Sequence, residues 1–420
     1  MNQLPLTDDT AIFGLLALCL GFIFYTSTLN AGFWKKFYTA IPTVLMCYLL
    51  PSVLTSIGLV DEAHSNLYYV ASRYLLPAAL ILMTLSIDLK AIANLGSKAL
   101  VMFLTGTTGI IIGGPIAILI VSIFSPETVG GADFDAVWRG LATIAGSWIG
   151  GGANQAAMLE VFKYNPEKFG NMVLVDVVMA NVWMAMLMLG IGRSKQIDLW
   201  LQADTSSIEA LKQKVSEYTE RISRITSLYD LIMLLCFAFL GVGIAHFFGH
   251  HLSEFLTENF EVIRNKQKAL SSLGSKFLWM VVIATLIGVG LSFTKAKTFE
   301  GAGASKIGSA FIYILVATIG MKMDLSKIFD NIGLLAVGFI WIVIHATLLI
   351  LVAKIIKAPY FFLAVGSQAN VGGAASAPVV AAEFHPSLTS VGILLAVFGY
   401  VVGTAGAYLC AILMEVSSTL

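Results

Sequence analysis

The sequence predicts an all-α polytopic membrane protein made of two six-segment repeats, each with one glycine-broken helix. Three observations lead to that fold class. Of the 420 residues, 58% are hydrophobic and only 12% are charged, about half the charge of an ordinary soluble domain. Apolar stretches recur that reach the roughly 20 residues needed to cross a bilayer. Two interrupted stretches also match each other, GSWIGGGANQAAMLEVFKYNP from Gly146 and GSQANVGGAASAPVVAAEFHP from Gly366. Without a gap, Gly146 falls on Gly366, Ser147 on Ser367, Gly152 on Gly372, Ala157 on Ala377 and Pro166 on Pro386.

In chain order, the opening MNQLPLTDDT is acidic and lacks the basic start of a secretory signal, so 11–29 is expected to be a retained first span. Further spans are expected at 38–58, 68–87, 98–124, 169–192, 229–248, 276–294, 306–323, 333–356 and 388–414, with the broken segments at 137–160 and 360–383. LILMTLSIDLKAIANLG, ending at Gly96, matches ILVATIGMKMDLSKIFDNIG, ending at Gly333, with Asp-Leu turns at Asp88 and Asp324. Each half therefore runs as three spans, a fourth after the Asp-Leu turn, the broken segment and a closing span. That order gives a first repeat over 1–192, a polar amphipathic bridge over 193–228 and a second repeat over 229–420. If the broken segments cross, the repeats are parallel; if they re-enter, the repeats are inverted. Lys and Arg concentrate in cytoplasmic loops. Their distribution favours inversion, with the N-terminus outside and the bridge, carrying Arg193, Lys195, Lys212, Lys214, Arg221 and Arg224, inside.

Within the bridge, Ile208, Leu211, Val215, Tyr218, Ile222, Ile225 and Tyr229 recur at spacings of 3 and 4, an apolar stripe on one helix face. It reads as a helix lying on the protein's own membrane face, with a coiled-coil seam between two protomers as the other option. A second amphipathic surface element is expected from His250 to Ser272. Cys19, Cys47, Cys236 and Cys410 have no metal-ligand spacing and read as small hydrophobes. The zero formal net charge gives no reason to expect a nucleic acid partner. Motifs of the HExxH, GxSxG and P-loop types are absent, so no enzymatic activity, ATP-driven pumping or cofactor is expected.

The chemistry concentrates at the breaks. Gly150, Gly151 and Gly152 stop a helix at little cost. The helix that restarts beyond them offers free N–H groups with partial positive charge, suited to a carboxylate. Ser147, Asn154 and Gln155 add neutral donors and acceptors. In the second break Gly372 and Gly373 play the same part, with Ser367, Gln368, Asn370 and Ser376 nearby. These residues form the expected substrate site. Amide and freed backbone carbonyls also suit Na⁺. The plainer reading is close helix packing with amides capping the broken ends. Asp176, in NMVLVDVVMANVWM, is a lone carboxylate inside a span where the other half has Ala396, and such groups are rare and usually functional. With Asn181, Asn154 and Asn370 it is the expected Na⁺ site; a proton is the other candidate occupant. Glu160 and Glu383 read as water-level groups and His345 as a satisfied core histidine.

The breaks GSWIGGGANQAA and GSQANVGGAAS, the Asp-Leu turns and NMVLVDVVMANVWM together resemble the YjcL-like membrane family over most of the chain. That family is in turn similar to the superfamily of cation:proton antiporters and anion symporters, including bile-acid and glutamate:sodium symporters. The resemblance implies an inverted-repeat fold, a mobile core around the broken segments, a scaffold that often dimerises, and elevator-type movement. The antiporter branch carries an aspartate pair in its core; Asn154–Gln155 stands in that kind of place here.

The expected function is secondary active transport in a bacterial-type inner membrane, taking up a small organic anion with Na⁺ as coupling ion, by a homodimer in the lipid bilayer. A cation:proton antiporter using Asp176 is the alternative. A non-transporting membrane receptor or assembly factor is the third reading.

Overall fold

The computed structural model describes residues 5–29, 32–41, 43–85, 92, 95–206, 208, 225–264, 269–323, 325–327, 329–385 and 388–419. The Asp-Leu turns at Asp88 and Asp324 and most of the bridge stripe, Leu211 to Ile222, lie outside these residues. Among the described residues, eight helices are long and apolar enough to cross a membrane. Two bent pairs, Gly32–Tyr38 with Thr43–Ser56 and Lys276–Ser292 with Lys295–Ala302, raise the number to ten. All ten fall on the spans expected from hydropathy. The chain is a multi-span, all-helical membrane protein. Leu18, Leu189, Phe247 and Ile355 are among the many large apolar side chains facing outward, as lipid-facing surfaces require.

One surface element differs from expectation. The helix from Leu228 continues to Asn259, followed by short 3-10 turns at Glu261–Arg264 and Ala269–Gly274. Nothing breaks the helix at His250. Gly249 sits there to let the Lys276–Ser292 helix approach, since a Cβ on it would lie 2.9 Å from Met280 N.

The helices pack in two groups. In one, Thr389–Ser418 lies along Val137–Phe162, and Leu334–Ile355 and Tyr360–Val371 lie along Ser97–Phe124. Phe169–Ile191 and Gly373–Phe384 complete it. In the other, Leu228–Asn259, Lys276–Ser292 and Ala304–Met321 pack around Leu76–Leu85, with Thr43–Ser56 and Asp9–Ser27 outside. Small residues set both packings, as expected where lipid supplies no hydrophobic drive between helices. A Cβ on Gly113 would meet the Trp341 ring at 2.6 Å, and one on Gly320 would meet Tyr48 O at 2.3 Å.

Both broken segments fold back on themselves. Arg139, near the start of Val137–Phe162, donates from Nη1 to the carbonyl of Phe162 at its end, 2.7 Å away. Over 23 residues a continuous helix would hold those ends about 35 Å apart. The reversal is at Gly151, with φ 73° and ψ −172°, a backbone region open essentially only to glycine. In the second segment Tyr360–Val371 and Gly373–Phe384 meet at Gly373, with φ 56°. The rings of Phe361 and Phe384, from its two ends, are 5.3 Å apart. The hairpins enter from opposite ends of the Thr389–Ser418 helix. Ala377 of the second hairpin abuts Gly392, and Phe162, at the base of the first, stacks on Tyr408. Their tips meet beside Gly399 and Tyr400.

Candidate functional site

The two tips touch. A Cβ built on Gly373 would lie 3.8 Å from Gly151 Cα. Around them is a cavity of about 340 Å³ lying between the two helix groups. One group supplies Ser147, Gln155, Asp176, Asn181, Gln368 and Ser376. The other supplies Tyr48, Ser309, Tyr313 and an apolar wall including Val44, Met83 and Ile312. Among the described residues, Asp176 is the one charged residue that lines it.

Asp176 is 7% exposed. Its carboxylate accepts from Ser147 Oγ at 2.7 Å, Trp148 Nε1 at 2.7 Å and Gln155 Nε2 at 2.8 Å. Ser147 and Trp148 stand before the Gly151 reversal and Gln155 after it, so one carboxylate ties both limbs of the hairpin. These donors replace the water an ionised carboxylate otherwise holds. Tyr48, from the opposite helix group, donates to Gln155 Oε1 at 3.1 Å. Two further ties join the groups: Glu160 accepts from Arg73 Nη2 at 2.7 Å and from the Tyr68 hydroxyl.

Of the expected substrate-site residues, Ser147, Gly151, Gly152, Gln155, Gln368, Gly372, Gly373 and Ser376 line the cavity. Asn154, Ser367 and Asn370 do not. Asn154 donates to Gly150 O at 2.9 Å and accepts from Thr404 Oγ1 at 2.6 Å. Asn370 donates to Phe103 O and Gly366 O, each at 2.9 Å, and accepts from Thr107 Oγ1 at 2.7 Å. Each asparagine thus fastens a hairpin to a neighbouring helix. Ser367 belongs to a buried chain. Opposite the Gly106 carbonyl, 3.0 Å away, His345 Nδ1 must donate, so the neutral ring's Nε2 accepts from Ser367 Oγ at 2.7 Å. Ser367 Oγ in turn accepts from Trp183 Nε1 at 2.8 Å.

The expected Na⁺ set is likewise divided. Asp176 and Asn181 face the cavity, although Asn181 spends its Nδ2 on Val177 O at 2.7 Å. Asn154 and Asn370 lie in helix packing. Among the described residues no three of His, Cys, Asp and Glu come together, so a cation here relies on one carboxylate and neutral oxygens. The Gly373–Phe384 helix begins at Gly372 without a side-chain cap, leaving its first N–H groups at the tip.

A family model described as "Protein of unknown function (DUF819)" matches residues 12–416. The chain belongs to the DUF819 family. A curated relative is "Uncharacterized membrane protein YjcL" of Bacillus subtilis (strain 168), 25% identical over 422 residues, covering 96% of each chain. In this DUF819 chain, sequence reasoning missed Tyr48, Tyr313 and Tyr400 at the cavity and Trp148 behind it, bonded to Asp176. Trp148 carried a signal, standing between Ser147 and the glycine run. The tyrosines carried none, being single aromatic residues in apolar spans.

Proposed function

We propose that this protein is a secondary active transporter of a bacterial-type inner membrane that takes up a small organic anion together with Na⁺. The observation that carries the reading is the meeting of two hairpin tips at a cavity whose one charged lining residue is Asp176. Matched interruptions in two halves are the best sequence pointer to a transporter's binding site. Irregular backbone at membrane depth is tolerated only where protein buries it or a wet cavity meets it. The N–H groups at the start of Gly373–Phe384 suit a cargo carboxylate. Asp176 and the amide oxygen of Asn181, both lining the cavity, offer Na⁺ the hard ligands it prefers.

With both broken segments folding back, five others in each half cross, so the repeats are inverted. The group that holds both hairpins then moves against the other as a body, in the elevator manner of the broader antiporter and symporter superfamily, within a homodimer. The cargo crosses unchanged, without a cofactor.

Proteoliposome uptake under separate gradients tests this. An inward Na⁺ gradient should drive uptake of labelled organic acids, and Asp176→Asn should remove the Na⁺ dependence. Cation:proton antiport at Asp176 is the second reading. It is favoured by the lack, among the described residues, of any basic side chain lining the cavity, which leaves an anionic cargo without a fixed counter-charge. Transport that follows a pH gradient and ignores Na⁺ would select it. Wild-type rates in Asp176→Asn under both gradients would remove Asp176 from the mechanism.

A further inference from the structure

The two hairpins carry four buried amides, and three are saturated. Asn154 and Asn370 are bonded at both ends, Asn154 to its own hairpin and to Thr404, Asn370 to Phe103 and Thr107 of the neighbouring helix. Gln155 spends its nitrogen on Asp176 and its oxygen on Tyr48. Gln368 differs. It is 1% exposed and lines the cavity. Its Nε2 donates across the tip to Ser376 Oγ at 2.6 Å, while its Oε1 has no partner among the described residues. The amide is held in place. It lies over Gly372, where any Cβ would come within 2.2 Å of Nε2 and 1.8 Å of Ser376 Oγ. Native proteins leave few buried polar atoms unpaired, and each such atom calls for an explanation.

We propose that Gln368 reads a hydrogen-bond donor on the cargo, so that the transported molecule is a small carboxylate bearing a hydroxyl or amine. This rests on the transport reading above and narrows its substrate class. A cargo that displaces solvent from the cavity must either offer Oε1 an N–H or O–H, or strand it. A site built to bond a substrate hydroxyl or amine rejects the analogue lacking it strongly, because the site's own polar group is left unpaired. A plain carboxylate gains at the uncapped helix start but leaves Oε1 unsatisfied. If the amide is turned by half a rotation, Nε2 becomes the open atom and the cargo hydroxyl accepts instead of donating; the requirement for a polar substituent stands.

Thermal stability of the purified full-length protein in Na⁺ tests this with matched probes. The plain acids are acetate, propionate and succinate. Glycolate, lactate and malate add a hydroxyl, and glycine, alanine and aspartate add an amine. Within at least one set, a substituted acid should bind about tenfold or more tighter than its parent. Gln368→Leu should bring that ratio to about one while keeping the response to Na⁺ alone. If that variant does not fold, Ser376→Ala, which frees the amide to rotate, should shrink the ratio. Equal binding of parents and derivatives, or a preference that survives in Gln368→Leu, overturns the proposal and leaves the transport site standing. Silence towards every acid and towards Na⁺ overturns the transport reading and this one with it.

Discussion

Asn154 and Asn370 show what residue type alone does not decide. Both sit within a few positions of the glycine runs, and both were expected to hold cargo or Na⁺. The side chains that do reach the cavity, Gln155 and Gln368, lie one and two positions away. A helix turns about 100° per residue, so neighbours in a short broken limb point to different walls. Sequence pointed to the two segments whose tips line the cavity but could not say which amide faced inward, because that depends on where the reversal falls. A consequence is testable. Asn154→Ala removes the bonds to Thr404 Oγ1 and Gly150 O, and Asn370→Ala removes those to Thr107 Oγ1, Phe103 O and Gly366 O. Each should lower stability by about 1–3 kcal/mol in a denaturation series while leaving the affinity of the folded protein for Na⁺ near wild type. A loss of affinity without loss of stability would return these residues to the binding site.

At the scale of elements, the hairpins depend on helix contacts too close for a side chain. Gly403 of the Thr389–Ser418 helix lies where a Cβ would come within 2.7 Å of both Gly150 Cα and Asn154 Nδ2. Gly399, four residues earlier, lies as close to Ile149 O. This is the small-xxx-small pattern of membrane helix pairs, and it places the first tip against the middle of that helix. Gly403→Leu should separate the two elements and lose the folded protein, measured as monodisperse yield in detergent. Gly152→Ala, where the nearest non-local atom is 3.7 Å away, should be tolerated. The pairing of the two interrupted segments was legible from their alignment, and so was the possibility that they re-enter. The reversal itself was not, since a glycine run equally permits a kink. The tie from Arg139 to Phe162 O rests on a meeting of two ends that no local pattern encodes.

For the whole molecule, the eight apolar helices and the two bent pairs found among the described residues were readable from hydropathy, because bilayer thickness imposes one length on every span. The partition into two helix groups was less so, since it depends on which small residues oppose which. In the proposed reading, ten crossings with two re-entrant hairpins put the bridge opposite the chain ends. A cysteine at Ser206 should therefore react with an impermeant maleimide from one face only, and one at Asp8 from the other; reaction of both from the same face would require a hairpin to cross. The basic residues of the bridge predict the cytoplasmic face for Ser206.

The Asp176 carboxylate in the cavity has an electrical consequence. In the proposed cycle the unloaded site carries one negative charge as it returns across the membrane. One Na⁺ with a monovalent anion leaves that charge unchanged, whereas a second Na⁺ cancels it. Each elementary charge moved through the full potential is worth about 2.3 kcal/mol per 100 mV, a factor of roughly fifty in the distribution between the two faces. A cytoplasm at negative potential therefore pushes the vacant, anionic carrier outward and resets it for the next uptake. Solid-supported membrane recordings should show a capacitive current on substrate-free Na⁺ jumps, absent in Asp176→Asn. A current of the same size in that variant would mean that the moving charge resides elsewhere.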